Sequence, residues 1–154
     1  MSKFVVGECV FNDLDDLTAT MESLFGAGSV ERSVDGSNSL TAYGHEGDSR
    51  DYEIGKVAAV VRRSHISHLS NDLPIIRDLD GTYRVAVSKY DIGAVPRRLG
   101  WKDVKDVEDL LNRIKQAFSV RQTVTGMAKL GFKLETETTA DGVVHVRAQK
   151  YMTV

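Results

Sequence analysis

Apolar residues recur at helical spacing through one long stretch, Asp103 to Leu130, as Val107, Leu110, Leu111, Ile114, Ala117, Phe118, Val124 and Ala128. Positions three, four and seven apart share one side of a 3.6-residue helix, so this pattern predicts a long helix whose apolar stripe needs a cover. A sheet is the expected cover. Asp103, Asp106, Glu108 and Asp109 stand at the start of the stretch and Lys129 near its end, matching the helix dipole at both termini. Gly131 supplies a left-handed stop.

The rest of the chain switches between periods of two and 3.6. Lys3 to Val10 reads as an opening strand, and Asn12 or Asp13 offers an N-cap for a helix carrying Leu14, Leu17, Met21, Leu24 and Phe25 up to Gly26. Val30 to Val34 and Leu40 to His45 flank the turn residues Asp35-Gly36-Ser37-Asn38 and predict a hairpin. Glu46 to Glu53 is small and charged, an exposed loop, whereas Ile54 to Arg62 is apolar on both faces and reads as a central strand. Arg63 to Asp78 reads as a folded excursion, because His65, His68, Asn71 and Pro74 interrupt it while Leu73, Ile75 and Ile76 demand burial. Asp80-Gly81 predicts a turn, and the alternating Tyr83, Val85 and Val87 predict a strand to about Tyr90. Pro96 and Gly100 close that section before Trp101, read as the anchor of the long helix. After Gly131, two alternating runs around Asp141-Gly142 give the clearest hairpin in the chain.

Strand, helix, glycine stop, strand, Asp-Gly turn, strand thus occurs from Lys3 to His45 and again from about Tyr83 to Tyr151. Two β-α-β-β units can place their strands in one antiparallel sheet with both helices on one face. The expectation is a single α+β domain over residues 1–154, two-layered and ferredoxin-like.

Composition narrows the class. The chain has 154 residues, 42% hydrophobic and 27% charged, as expected of a soluble globular domain. No run approaches the roughly 20 apolar residues that span a bilayer, and Glu8 interrupts the start before an export signal can form, so a cytoplasmic protein with no membrane partner is expected. Cys9 is the only cysteine, which excludes a disulfide within one chain and a cysteine zinc cluster. A net charge of −2 argues against indiscriminate nucleic-acid binding.

Among residues that carry chemistry, Arg62-Arg63 and Arg97-Arg98 lead, because guanidinium groups hold phosphate or carboxylate through paired hydrogen bonds. Lys89, Lys102 and Lys105 are placed to extend that patch, and the plain alternative is a set of solvated surface charges. His65 and His68 share a helical face, but only Asp72 offers a third ligand, so no metal and no cofactor is expected. Asp78-Leu79-Asp80-Gly81 opens like a calcium loop and fails at its twelfth position, which is Lys89. Gly26-Ala27-Gly28 follows a helix, the reverse of a pyrophosphate-binding turn, and Cys9 has no evident base and reads as a buried inert thiol.

Lys89-Tyr90-Asp91-Ile92-Gly93, the helix residues Leu110, Leu111, Ile114 and Gln116, then Ala128, Gly131-Phe132 and the Asp141-Gly142 hairpin resemble a known family. It is the plastid open-reading-frame family ycf thirty-five, of unknown function, found in algal plastids, cyanobacteria, other bacteria and some phages. The resemblance lies mainly in the C-terminal two-fifths and departs over Arg63 to Asp78. It implies an intracellular α+β protein and supplies no catalytic residues to carry over. Asp91 and Gly93 read as shaping a bend, or, with Tyr90, as a recognition edge beside Arg97 and Arg98. The functional expectation is a small non-enzymatic binding or adaptor protein that contacts a protein partner or a second copy of itself through a sheet edge or open sheet face. The alternative is a phage-encoded sequestering protein that binds an anion or nucleotide through Arg62, Arg63, Arg97 and Arg98.

Overall fold

The computed structural model describes residues 4–33, 40, 42–43, 56–140 and 142–150. Val57, Ala58, Ala59, Val60 and Val61 are all buried, which a strand achieves only when both its faces are covered. They form β3 (Lys56–Val61), inside an antiparallel sheet of order β1-β5-β4-β3-β2. The other strands are β1 (Phe4–Val6), β2 (Val30–Arg32), β4 (Leu73–Arg77) and β5 (Tyr83–Ser88). Register is fixed by pairs such as Val61 with Leu73, Ile75 with Val85 and Val6 with Ala86. An irregularity between Val57 and Ala59 shifts the β3–β4 register. It leaves Val57 and Val60 in one cluster with Ala42, against which Leu40 packs.

β4 is a strand that the sequence pattern hides, since Pro74 sits inside it. Proline lacks the N–H that a ladder uses, yet the β4–β5 ladder begins only at Ile75, so Pro74 breaks no pairing on that side. The expected strand to Tyr90 stops at Ser88, whose hydroxyl accepts from Tyr90 N at 3.3 Å and caps a single 3₁₀ turn over Lys89–Asp91. The expected partner strand Leu40–His45 and the loop 46–53 fall almost wholly outside the described residues.

Helix α1 (Leu14–Phe25) follows its pattern: Asp13 Oδ1 accepts from Asp16 N at 2.9 Å, and Leu17, Met21 and Phe25 are buried four residues apart. A short α2 (Ala94–Leu99) contains Pro96, which a first helical turn tolerates because its N–H has no partner to lose there. Gly100 ends it at φ 73°, a left-handed angle that favours glycine. Trp101 N then donates to Pro96 O at 2.9 Å. α3 (Val107–Lys129) begins with Asp106 Oδ1 accepting from Asp109 N at 2.8 Å. Its stripe is buried at Leu110, Leu111, Ile114 and Phe118, half-buried at Val124, and exposed by Ala128. Leu111 comes so close to β1's continuation that a Cβ on Gly7 would lie 1.8 Å from Leu111 Cδ1. Glycine is required there by space, not by backbone angle.

The chain divides into two compact units, 1–115 and 116–154, with the boundary inside α3. In the second unit, β6 (Phe132–Thr138) and β7 (Val144–Lys150) pair in register from Phe132 with Lys150 to Thr138 with Val144. Gln116 Nε2 donates to Gly142 O at 2.9 Å and ties helix to turn. The hairpin is as the pattern predicts, but its place is not: among the described residues β6 and β7 form a two-stranded sheet of their own instead of joining one sheet with the other strands. The protein is α+β: the described residues form one five-stranded antiparallel sheet, one two-stranded sheet and three α-helices. Among the described residues no helix is long and apolar enough to cross a membrane.

Candidate functional site

β3 ends at Val61 and β4 begins at Leu73, and the segment between them returns to put a carboxylate inside the first unit. Asp72 is 2% exposed. Its Oδ2 accepts from Tyr43 N and Arg62 Nη1, both at 2.8 Å, and its Oδ1 from Arg63 N at 2.6 Å. A buried carboxylate is tolerated only with such a set of donors. Arg62 also donates to Glu31 through Nε at 2.7 Å. Burial lowers the Arg62 pKa, but the hydrogen bonds to Asp72 and Glu31 outweigh it and hold the group above its ordinary value.

The neighbouring candidates are also occupied within the first unit. The Arg63 guanidinium lies 4.1 Å from the centre of the Tyr43 ring and donates to His68 O. Asp91 is buried, and its Oδ2 accepts from Asn71 N at 3.0 Å and Asn71 Nδ2 at 3.2 Å. Burial pushes its pKa up, against the Asn71 hydrogen bonds and the charge of Arg63. Arg98 donates through Nε to His65 O at 3.0 Å and through Nη2 to Phe25 O at 3.1 Å, tying the end of α1 to the 63–65 turn. Arg62, Arg63, Asp91 and Arg98 therefore share one connected polar network built on residues 62–72. Tyr90, 73% exposed, stands at its border.

Arg97 lies apart from that network. It lines a cleft of about 330 Å³ whose apolar walls are Ile92, Pro96, Trp101 and Val104, and to which Lys102, Gly93 and Gly100 also contribute. Neither the Arg97 nor the Lys102 side chain has a hydrogen bond or ion pair among the described residues. Trp101 is held from outside the cleft: the Arg113 guanidinium sits 5.0 Å from its ring centre, and Arg113 Nη1 donates to both carboxylate oxygens of Asp103 at 2.9 Å. A larger concavity of about 520 Å³ lies on the ribbon, among Glu135, Thr136, Glu137, His145, Val146 and Arg147. There Glu135 pairs across the strands with Arg147, so charges of opposite sign stand side by side.

Other sequence candidates resolve into local structure. Asp80 Oδ1 accepts from Thr82 Oγ1 at 2.6 Å and Thr82 N at 3.0 Å, bonds that pull its pKa down, while Gly81 takes φ 85°. That is a turn. The Cys9 thiol is half-buried and donates to Asn112 Oδ1 at 3.2 Å; burial, then the charge of Glu108, raises its pKa and depletes the reactive thiolate. Among the described residues no three His, Cys, Asp or Glu side chains are grouped to hold a metal ion.

The sequence leaves open whether the two arginine pairs form one patch and does not mark Trp101 as a cleft wall. The available signal was the run from Arg97 through Gly100-Trp101-Lys102, which puts two cations and an aromatic ring around one glycine turn. No protein-family model, no curated protein and no solved structure matches the chain.

Proposed function

We propose that this chain is a small non-enzymatic adaptor whose contact element is the β6–β7 ribbon, and that a partner polypeptide binds by adding an extended segment to a ribbon edge. The observation that supports this reading is the ribbon's exposure. Two strands alone bury too little apolar surface to be stable in water and need a third strand or a helix beside them; the same unit supplies the end of α3, and much of the ribbon still faces water. Here neither ribbon strand pairs with a third among the described residues. Leu130 is 66% exposed, Val143 46% and Val146 38%, at one end of the ribbon, in its turn and along β7. An unpaired edge offers main-chain donors and acceptors, and apolar side chains beside it give a partner strand something to bury.

Native mass spectrometry on gently purified protein, with and without the paired substitutions Val143→Lys and Val146→Lys, tests this. The expected result is an assembly heavier than the 17.0 kDa chain that the paired variant dissociates. A 17.0 kDa monomer at every concentration and in every preparation, or an assembly indifferent to both lysines, would contradict the reading.

A further inference from the structure

We infer that the Trp101 cleft is a binding site for a small organic anion with a flat, apolar body: an aromatic or heteroaromatic ring carrying a carboxylate or a phosphate. The inference is independent of the ribbon and lies wholly within the first unit.

Three observations converge on that chemistry. The first is unspent charge. Arg62, Arg63 and Arg98 all donate through their side chains to acceptors in their own unit, whereas the side chains of Arg97 and Lys102 do not donate to any described residue and both line the cleft. Arg97 Nη2 lies 4.0 Å from where a Cβ on Gly93 would stand, so its guanidinium runs along the Gly93 side of the cleft, where a side chain would compete for the space. Arginine supplies a planar fork for a carboxylate or phosphate and lysine a point charge, so together they recognise one anionic group without a matching acid in the protein.

The second is the wall. Ile92, Pro96, Trp101 and Val104 have no use for a bare inorganic anion, which would leave them wet, and the two cations have no use for a neutral ring. Only a ligand with both parts satisfies both. The third is preorganisation. Arg113, itself clamped by Asp103, fixes the Trp101 ring before any ligand arrives, which removes an ordering cost from binding. At about 330 Å³ the cleft holds one such molecule and not a chain of them.

Trp101 is the only tryptophan, so its indole N–H gives a single resonance that reports on this cleft. That resonance is followed in the full chain during titration with adenosine 5′-monophosphate and with indole-3-acetate, and with adenosine, indole and inorganic phosphate as the corresponding parts. The expected result is a saturable shift with at least one of the two organic anions, with Kd on the order of 0.1–1 mM, and binding at least tenfold weaker for its neutral part and for inorganic phosphate. Arg97→Ala and Lys102→Ala should each weaken the anion about tenfold while leaving the resonance dispersed, as expected of exposed side chains. Saturation by the phosphate compound alone assigns a nucleotide-like ligand, and by the carboxylate alone an aromatic acid. The inference is overturned by no saturable shift with either anion up to about 10 mM, by equal binding of the neutral rings, or by affinity that neither substitution weakens.

Discussion

The central strand β3 of the five-stranded sheet and the ribbon strand β7 carry different hydrophobic patterns and end in opposite environments. In β3, five consecutive residues from Val57 to Val61 are buried; in β7, every residue after Val144 is exposed. β3 is a continuous apolar run, Val57-Ala58-Ala59-Val60-Val61, whereas β7 alternates as Val144-His145-Val146-Arg147. The difference is how completely the apolar positions are covered: Phe132, Leu134 and Val144 of the ribbon are half-buried where β3 is buried throughout. β3 lies between β2 and β4 and has Leu40 and Ala42 against one face, while among the described residues β7 has β6 on one side only. The pattern therefore specifies a strand and how many of its faces can be buried, and the supply of neighbours decides whether that strand belongs to a core or to a contact surface.

The largest test of this contrast is a pair of truncations. Ile75→Ala removes a fully buried side chain at the centre of the sheet and should cost about 2–5 kcal/mol in urea unfolding, through lost burial and a residual cavity. Val146→Ala on the ribbon should fall within about 0.5 kcal/mol for the isolated chain. Equal costs would erase the distinction.

A smaller effect sharpens it at the end of β5. The sheet side carries a buried carboxyl, Asp91, whose pKa burial raises above the ordinary value of 3.8. The folded state then binds the Asp91 proton more tightly than the unfolded chain does. Stability from this group is full below about pH 3.8 and is lost as pH rises through the raised value. Asp91→Asn keeps an acceptor for Asn71 and does not titrate, so the stability of the wild-type chain relative to the variant should decline over that interval. Urea midpoints from pH 3.5 to 7 measure it, and a difference that stays flat or grows with pH would reverse the assignment.

Much of this was legible because it depends on near neighbours in sequence. The Asp13 cap with Leu17, Met21 and Phe25, the 132–150 hairpin, and the Asp80-Gly81 turn each follow from spacing within a single helix, hairpin or turn. What sequence reasoning missed depends on distant pairings. Pro74 reads as a breaker until the staggered β4–β5 ladder shows that it breaks no pairing on the β5 side, and Pro96 reads the same way although it stands in a first helical turn. Arg97 and Arg98 are adjacent and chemically identical, yet Arg98 is drawn to carbonyls of Phe25 and His65, residues 73 and 33 positions away, while Arg97 is left to the cleft. No local pattern distinguishes the two. The expected single sheet failed for a related reason: a repeated order of elements sets which strands exist, not which edges meet.

Amide hydrogen exchange, measured on the dispersed chain and on its assembly, tests the central contrast most directly. Slow exchange is expected throughout β4 and β5 in both forms, with rapid exchange at the outer amides of β6 and β7 in the dispersed chain and clear protection of one of those edges on assembly. Ribbon amides as slow as those of Ile75 and Val85 in the dispersed chain, and unchanged on assembly, would contradict it.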